Sequence, residues 1–144
     1  MFELHSALER DCQRVGQLPL CEVLLMDDRH YPWLILVPRV AGAKELIDLS
    51  ASDERQFWQE SRWASEVLQA IHHPDKLNVA ALGNMVPQLH IHHIARFTTD
   101  AAWPKPVWGA VPAKAYDAGV LVQEASVVAD QFAQRCSDFV SALL

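Results

Sequence analysis

The stretch Gln88-Leu89-His90-Ile91-His92-His93-Ile94 decides the reading of this chain. It alternates with a period of two, which predicts a β-strand. Gln88, His90 and His92 then share one face, and Leu89, Ile91 and His93 the other. Residues two apart on a strand stand roughly 7 Å from each other on the same face. Two imidazoles and an amide are therefore set side by side, and a polar face of this kind must meet water, a ligand or paired partners.

Three chemistries fit such a face. It can be a solvent-exposed polar surface that happens to carry His, though three imidazoles between positions 90 and 93 count against that. It can be a metal site, since His at i and i+2 can chelate zinc, with Asp27, Asp28, Cys21 or His30 as the third ligand. Or it can be a catalytic site in which His90 is the nucleophile and Gln88 and His92 hold the substrate or the ring.

The strand resembles the signature of the histidine triad (HIT) family, His-φ-His-φ-His-φ-φ, where φ is apolar. Laid on that pattern, Gln88 stands at the first His, His90 at the central nucleophilic one and His92 at the third. His93-Ile94 forms the closing pair, with His93 polar where the family prefers an apolar residue. The resemblance extends over about residues 18–100, leaving 101–144 as a C-terminal extension and helix within one HIT-like domain, 1–144.

The bulk properties agree with one folded domain. A chain of 144 residues suits one domain. Its 51% hydrophobic content, with five Trp and five Phe, predicts a folded core. The net charge of −6 and the lack of a Lys/Arg run argue against nucleic acid as the main partner, but not against a single small nucleotide. Three cysteines without metal-like spacing suggest a reduced, cytoplasmic setting. No stretch approaches a membrane span, and Met1–His5 lacks the features of a signal peptide.

The flanking segments predict an α+β order. Residues 2–15 show helical spacing at Leu4, Ala7, Leu8, Cys12 and Val15, with Gly16 as the stop. Leu18–Met26 and Tyr31–Val37 read as a hairpin around the turn Asp27-Asp28-Arg29. Ser50 caps a helix running to about Ile71, whose stripe is Phe57, Ser61, Ala64, Leu68 and Ile71. Glu60 falls with the charged residues off that stripe. Trp58 and Trp63 flank it and suit an apolar contact such as a dimer interface. Lys76–Leu82 is a further strand, turned by Gly83–Pro87 into the signature strand. From about Val122 a helical stripe runs through Phe132, Cys136 and Phe139 to Leu143.

The resemblance implies an antiparallel sheet of about five strands with packed helices, commonly paired into a homodimer. It implies a hydrolase or transferase in which His90 attacks the α-phosphorus of a nucleoside phosphoramidate or dinucleoside polyphosphate, forming a nucleotidyl-histidine intermediate, with no cofactor and no metal. His92 would contact the phosphate and Gln88 would donate through its amide. Asp27 would bind the ribose hydroxyls, with ordinary turn chemistry as the competing role for it and for Asp28. Asn84 would lie on the phosphate side, against an Asn in a left-handed turn beside Gly83. Asn78 would lie near the phosphate, against an ordinary strand position. Trp103 or Trp108 would stack on a base or pack over the sheet. Trp33 stands where many members carry the His of a Pro-Gly-His segment. With Gln88 and Trp33 the site lacks two imidazoles of the fuller pattern. A nucleotide-binding module with little turnover and a metal-dependent hydrolase using His90 and His92 therefore stay open beside the covalent enzyme.

Overall fold

The computed structural model describes residues 1–143. Their centre is the hairpin of β2 (Cys21–Met26) and β3 (Trp33–Pro38), whose side chains are buried on both faces of the sheet apart from Met26. A strand covered on both sides reads as a continuous apolar run, as Cys21–Met26 and Trp33–Pro38 nearly do. Outside this pair lie β1 (Cys12–Gln17), β4 (Lys76–Ala80), β5 (Ile91–Arg96) and the short β6 (Val140–Ser141). The order across the sheet is β4-β5-β3-β2-β1-β6, and every pairing is antiparallel.

Three helices complete the α+β fold: α1 (Ser6–Asp11), α2 (Ala51–His72) and α3 (Val120–Arg135). The larger core lies where α2 and α3 meet one face, through Phe57, Leu68 and Phe132 against Val23, Leu36 and Ile91. Each fully buried Leu or Phe of this kind contributes about 1.5–3 kcal/mol. The second core, on the opposite face, joins Leu24, Ile35 and Ile94 to Leu8 of α1 and to Ala102 and Val107 of the segment after β5.

The helix expected over residues 2–15 stops at Asp11, and Cys12–Gln17 is a strand. Its ladder with β2 bonds residues whose carbonyls, in the last turn of a helix ending at Gly16, would have had no intrahelical partner. Gly16 lies in this strand beside a register shift. A Cβ there would sit 2.4 Å from both the Phe139 ring and the Val140 carbonyl, so β6 pairs with β1 because this position is bare. The helical stripe expected to reach Leu143 ends at Arg135. Phe139 comes after the turn and stacks on Phe132 at 5.7 Å, which mimics the spacing of a continuing helix.

α2 begins as expected, with the Ser50 hydroxyl accepting the Asp53 backbone N–H. It ends on His73 in the left-handed conformation. Glu60 is a correction. It is fully buried, and its carboxylate accepts the backbone N–H groups of Leu20 and Cys21 at 2.8 Å and the Gln56 amide. A carboxylate so bonded ties the helix to the start of β2. Trp58 remains half exposed against Phe57, whereas Trp63 packs on the core.

Candidate active site

The ladder of β5 begins at Ile91, so Gln88, Leu89 and His90 form its approach rather than its first rungs. Alternation nevertheless holds across the three histidines. His90 and His92 face α1 and the segment after β5, with ring centroids 4.9 Å apart. His93 faces α2, where its Nε2 meets the Ser61 hydroxyl at 2.8 Å.

The hydrogen bonds assign each ring its tautomer. His90 Nδ1 lies 2.7 Å from the Gln88 carbonyl, which only accepts, so Nδ1 carries the proton and donates it. The neutral ring then presents a bare Nε2. His92 is the reverse. The Trp33 indole N–H only donates, and it donates to His92 Nδ1 at 3.0 Å, so the proton of the neutral ring sits on Nε2. Burial, then the neighbouring His90 and His93, pushes the His92 pKa down to about 3. His93 is likewise lowered to about 4 by burial. Its Nδ1 donates to the Ile91 carbonyl, leaving Nε2 to accept from Ser61.

Both catalytic candidates line a cleft of about 440 Å³, walled by Leu8, Met26, Trp33, Ile35 and Trp108 and lipped by Gly83–Val86. A second lobe of about 450 Å³ continues from it past Asp11, Met26, Trp33 and Trp108 to Asp27 and Asp28. Trp108 stands at the junction, its ring 5.1 Å from His92 and 6.0 Å from Trp33. The segment after β5 thus does fold back on the histidines, and Trp108 is the residue it delivers. Trp103 lies instead over the Arg96 guanidinium at 5.6 Å.

The remaining candidates separate. Asp27 lines the second lobe, and one of its oxygens accepts the Tyr116 backbone N–H. Asp28 Oδ1 accepts the backbone N–H groups of His30 and Lys114 and lies 2.8 Å from the His30 ring, which is turn chemistry. Asn84 is exposed on the lip of the cleft, and the left-handed residue of that turn is Gly83. Asn78 is elsewhere: its Oδ1 accepts from Arg96, and it does not line the histidine cleft. Gln88 also turns away. Its amide is used by the backbone of Glu3 and His5, so it presents no donor beside His90.

For a metal, His90 and His92 would need a third ligand. Among the described residues no three His, Cys, Asp or Glu side chains gather into such a set. Cys21 lies in the core under α2, and His30 is held by Asp28.

Trp33 and Glu60 were the residues whose roles sequence spacing missed. A Trp in a strand signals burial, but not which ring nitrogen it will bond.

The profile of the HIT domain family matches residues 7–99. The chain belongs to the histidine triad family. It is similar in structure to a histidine triad protein of Bradyrhizobium japonicum, with 48% identity and a TM-score of 0.87 over 90% of this chain and 97% of that one. A histidine triad protein of Marinobacter aquaeolei VT8 is 44% identical, with a TM-score of 0.89 over 93% and 98%. One of Sinorhizobium meliloti 1021 is 39% identical, with a TM-score of 0.88 over 91% and 97%. No match was found among curated proteins. As a histidine triad protein the chain falls in a superfamily of nucleotide-binding hydrolases and transferases. Among the described residues no helix is long and apolar enough to cross a membrane.

Proposed function

We propose that this histidine triad protein is a nucleotide hydrolase or nucleotidyl transferase that works through a nucleotidyl-histidine on His90. The observation that carries the reading is the opposite bonding of Nδ1 in the two rings of the cleft, a carbonyl acceptor on His90 and an indole donor on His92. His90 has a bare Nε2, held by the Gln88 carbonyl behind it. His92 has a protonated Nε2, held by Trp33 behind it. One is a nucleophile and the other a donor, which is the pair a phosphoryl centre needs.

In the proposed reaction His90 Nε2 attacks the α-phosphorus in line with the leaving group. Negative charge gathers on the non-bridging oxygens, and the neutral His92 N–H stabilises it without cost in reorganisation. Asp27 receives the ribose hydroxyls in the second lobe, and Asn84 at the lip takes part of the phosphate chain. The base lies against Trp108. Water then attacks the intermediate and releases the nucleoside monophosphate.

The test is mass spectrometry of protein quenched during incubation with adenosine phosphoramidate and with a diadenosine polyphosphate. A nucleotidyl adduct on His90 with at least one of the two substrates, absent from His90→Ala and indifferent to chelator, is the expected result. Monophosphate bound without adduct or turnover would make the protein a binding module. Turnover lost to chelator would assign the chemistry to a metal.

A further inference from the structure

The bond from Trp33 to His92 restricts what the cleft can do with a proton. An imidazolium at His92 needs a hydrogen on Nδ1, but the indole hydrogen already points at that atom across 3.0 Å. Protonating the ring would set two N–H groups head to head. Trp33 is only 6% exposed, and its ring lies edge-on to Tyr31 at 6.3 Å and to Trp108 at 6.0 Å, contacts that hold the indole on His92. His92 can lend its Nε2–H as a hydrogen bond. It cannot give that proton away, because an imidazolate would remain.

Among the described residues no other group in the cleft fills the gap. His90 must be bare at Nε2 to attack, and its own proton points backwards to the Gln88 carbonyl. Gln88 is an amide bonded to Glu3 and His5. Asp11, at the junction of the lobes, is a carboxylate paired with Arg10 at 2.9 Å and half open to solvent. His93 lies behind the sheet against Ser61. Burial, His90 and His93 add to the effect of the indole by holding the His92 pKa down to about 3.

We propose that Trp33 sets leaving-group specificity: by capping His92 Nδ1 it leaves the cleft without a general acid, and so selects substrates whose leaving group departs as a stable anion. The inference rests on His90 being the nucleophile. In the step, the N–P bond forms from the Nε2 lone pair as the bond from phosphorus to the leaving oxygen breaks, and that electron pair leaves on the oxygen. A phosphate chain accepts the pair without a proton. An alcohol or amine leaving group does not, because without a proton it would have to depart as an alkoxide or an amide anion. In the second step a water oxygen bonds to phosphorus, the N–P pair returns to Nε2, and the released proton goes to solvent.

The experiment uses adenosine 5′-phosphate aryl esters with phenols of graded acidity, alongside diadenosine tetraphosphate and adenosine phosphoramidate. Wild type and Trp33→Phe are compared, with 15N-histidine NMR on both. The wild type is expected to slow steeply and steadily as leaving-group pKa rises, as for departure without acid assistance. Trp33→Phe frees Nδ1, and although burial, His90 and His93 still oppose the charge, the fraction of His92 protonated as pH falls should raise the poorest leaving groups relative to the best, by up to about a hundredfold, the size of a general-acid contribution. The NMR should show His92 protonated on Nε2 alone in the wild type between pH 5 and 8. A flat wild-type series, an unchanged slope in the variant, or a proton on His92 Nδ1 overturns the proposal. A flat series with the His90 adduct present sinks this inference alone. A wild type that forms no His90 adduct removes the proposed function and this inference together.

Discussion

Gln88 accepts the backbone N–H of His5 through Oε1 at 2.8 Å and donates to the Glu3 carbonyl through Nε2 at the same distance. One amide thereby fastens the approach to the histidine strand to the segment that begins α1. Ala7 and Leu8 of that helix line the cleft, so Gln88 shapes the site without entering it. Gln88→Ala is expected to cost about 1–2 kcal/mol in urea unfolding, the sum of two ordinary hydrogen bonds. Hydrogen exchange at the His5 amide should accelerate, while the adduct on His90 still forms. Loss of the adduct with an intact fold would return Gln88 to the chemistry.

Acid should destabilise the protein well above the usual carboxylate range. His92 and His93 have folded pKa values near 3 and 4, below the 6.5 of an unfolded histidine. Between those limits the unfolded chain binds more protons, so their contribution is full above pH 6.5 and is lost as pH falls. Unfolding at pH 5 should take up about two protons from these rings, measurable from the pH dependence of the unfolding free energy. A stability flat from pH 7 to 5 would contradict this assignment.

The Ser61 hydroxyl gives His93 Nε2 its partner inside the larger core. Ser61→Ala removes that partner and leaves a buried acceptor unmet, at a cost of about 1–3 kcal/mol. Because His93 lies on the far face from the cleft, kcat should change little. Thermal melting and steady-state turnover on one preparation separate the two effects.

Asp100 holds the loop that brings Trp108 to the histidines. Its carboxylate pairs with buried Arg96 at 2.7 Å and accepts the backbone N–H groups of Phe97, Ala102 and Trp103. Burial alone would raise its pKa, but these partners hold it down to about 2. Asp100→Ala leaves the guanidinium uncompensated and is expected to cost about 3–5 kcal/mol. The milder Trp108→Ala should keep the fold and raise KM about tenfold, since an aromatic wall is worth around 1–3 kcal/mol to a base. Equal KM values in the variant and the wild type would place the base elsewhere.

The central hairpin, α2 and the facing of His90, His92 and His93 were legible because burial repeats at the period of the element. The ends of the sheet were not. Cys12 and Val15 continue a helical spacing, and only the ladder to β2, formed by residues distant in the chain, makes them strand. Phe139 continued the α3 stripe by coincidence of stacking. In the cleft, position along the strand identified the two rings, whereas side-chain bonds decided the rest. Asn78 met Arg96, Gln88 met the N-terminal backbone, and Glu60 met two backbone donors, none of them near in sequence.

The alternation along β5 makes the chemistry a matter of parity. Even positions 90 and 92 line the cleft, while odd positions 91, 93 and 95 belong to the core under α2. Deleting Ile91 would break this parity between His90 and His92, so that with the rest of β5 in register His90 turns into hydrocarbon and Leu89 into the cleft. Length changes in the exposed turn 83–87 leave the parity untouched. Natural length variation compatible with activity should therefore gather before the histidines and stop at them.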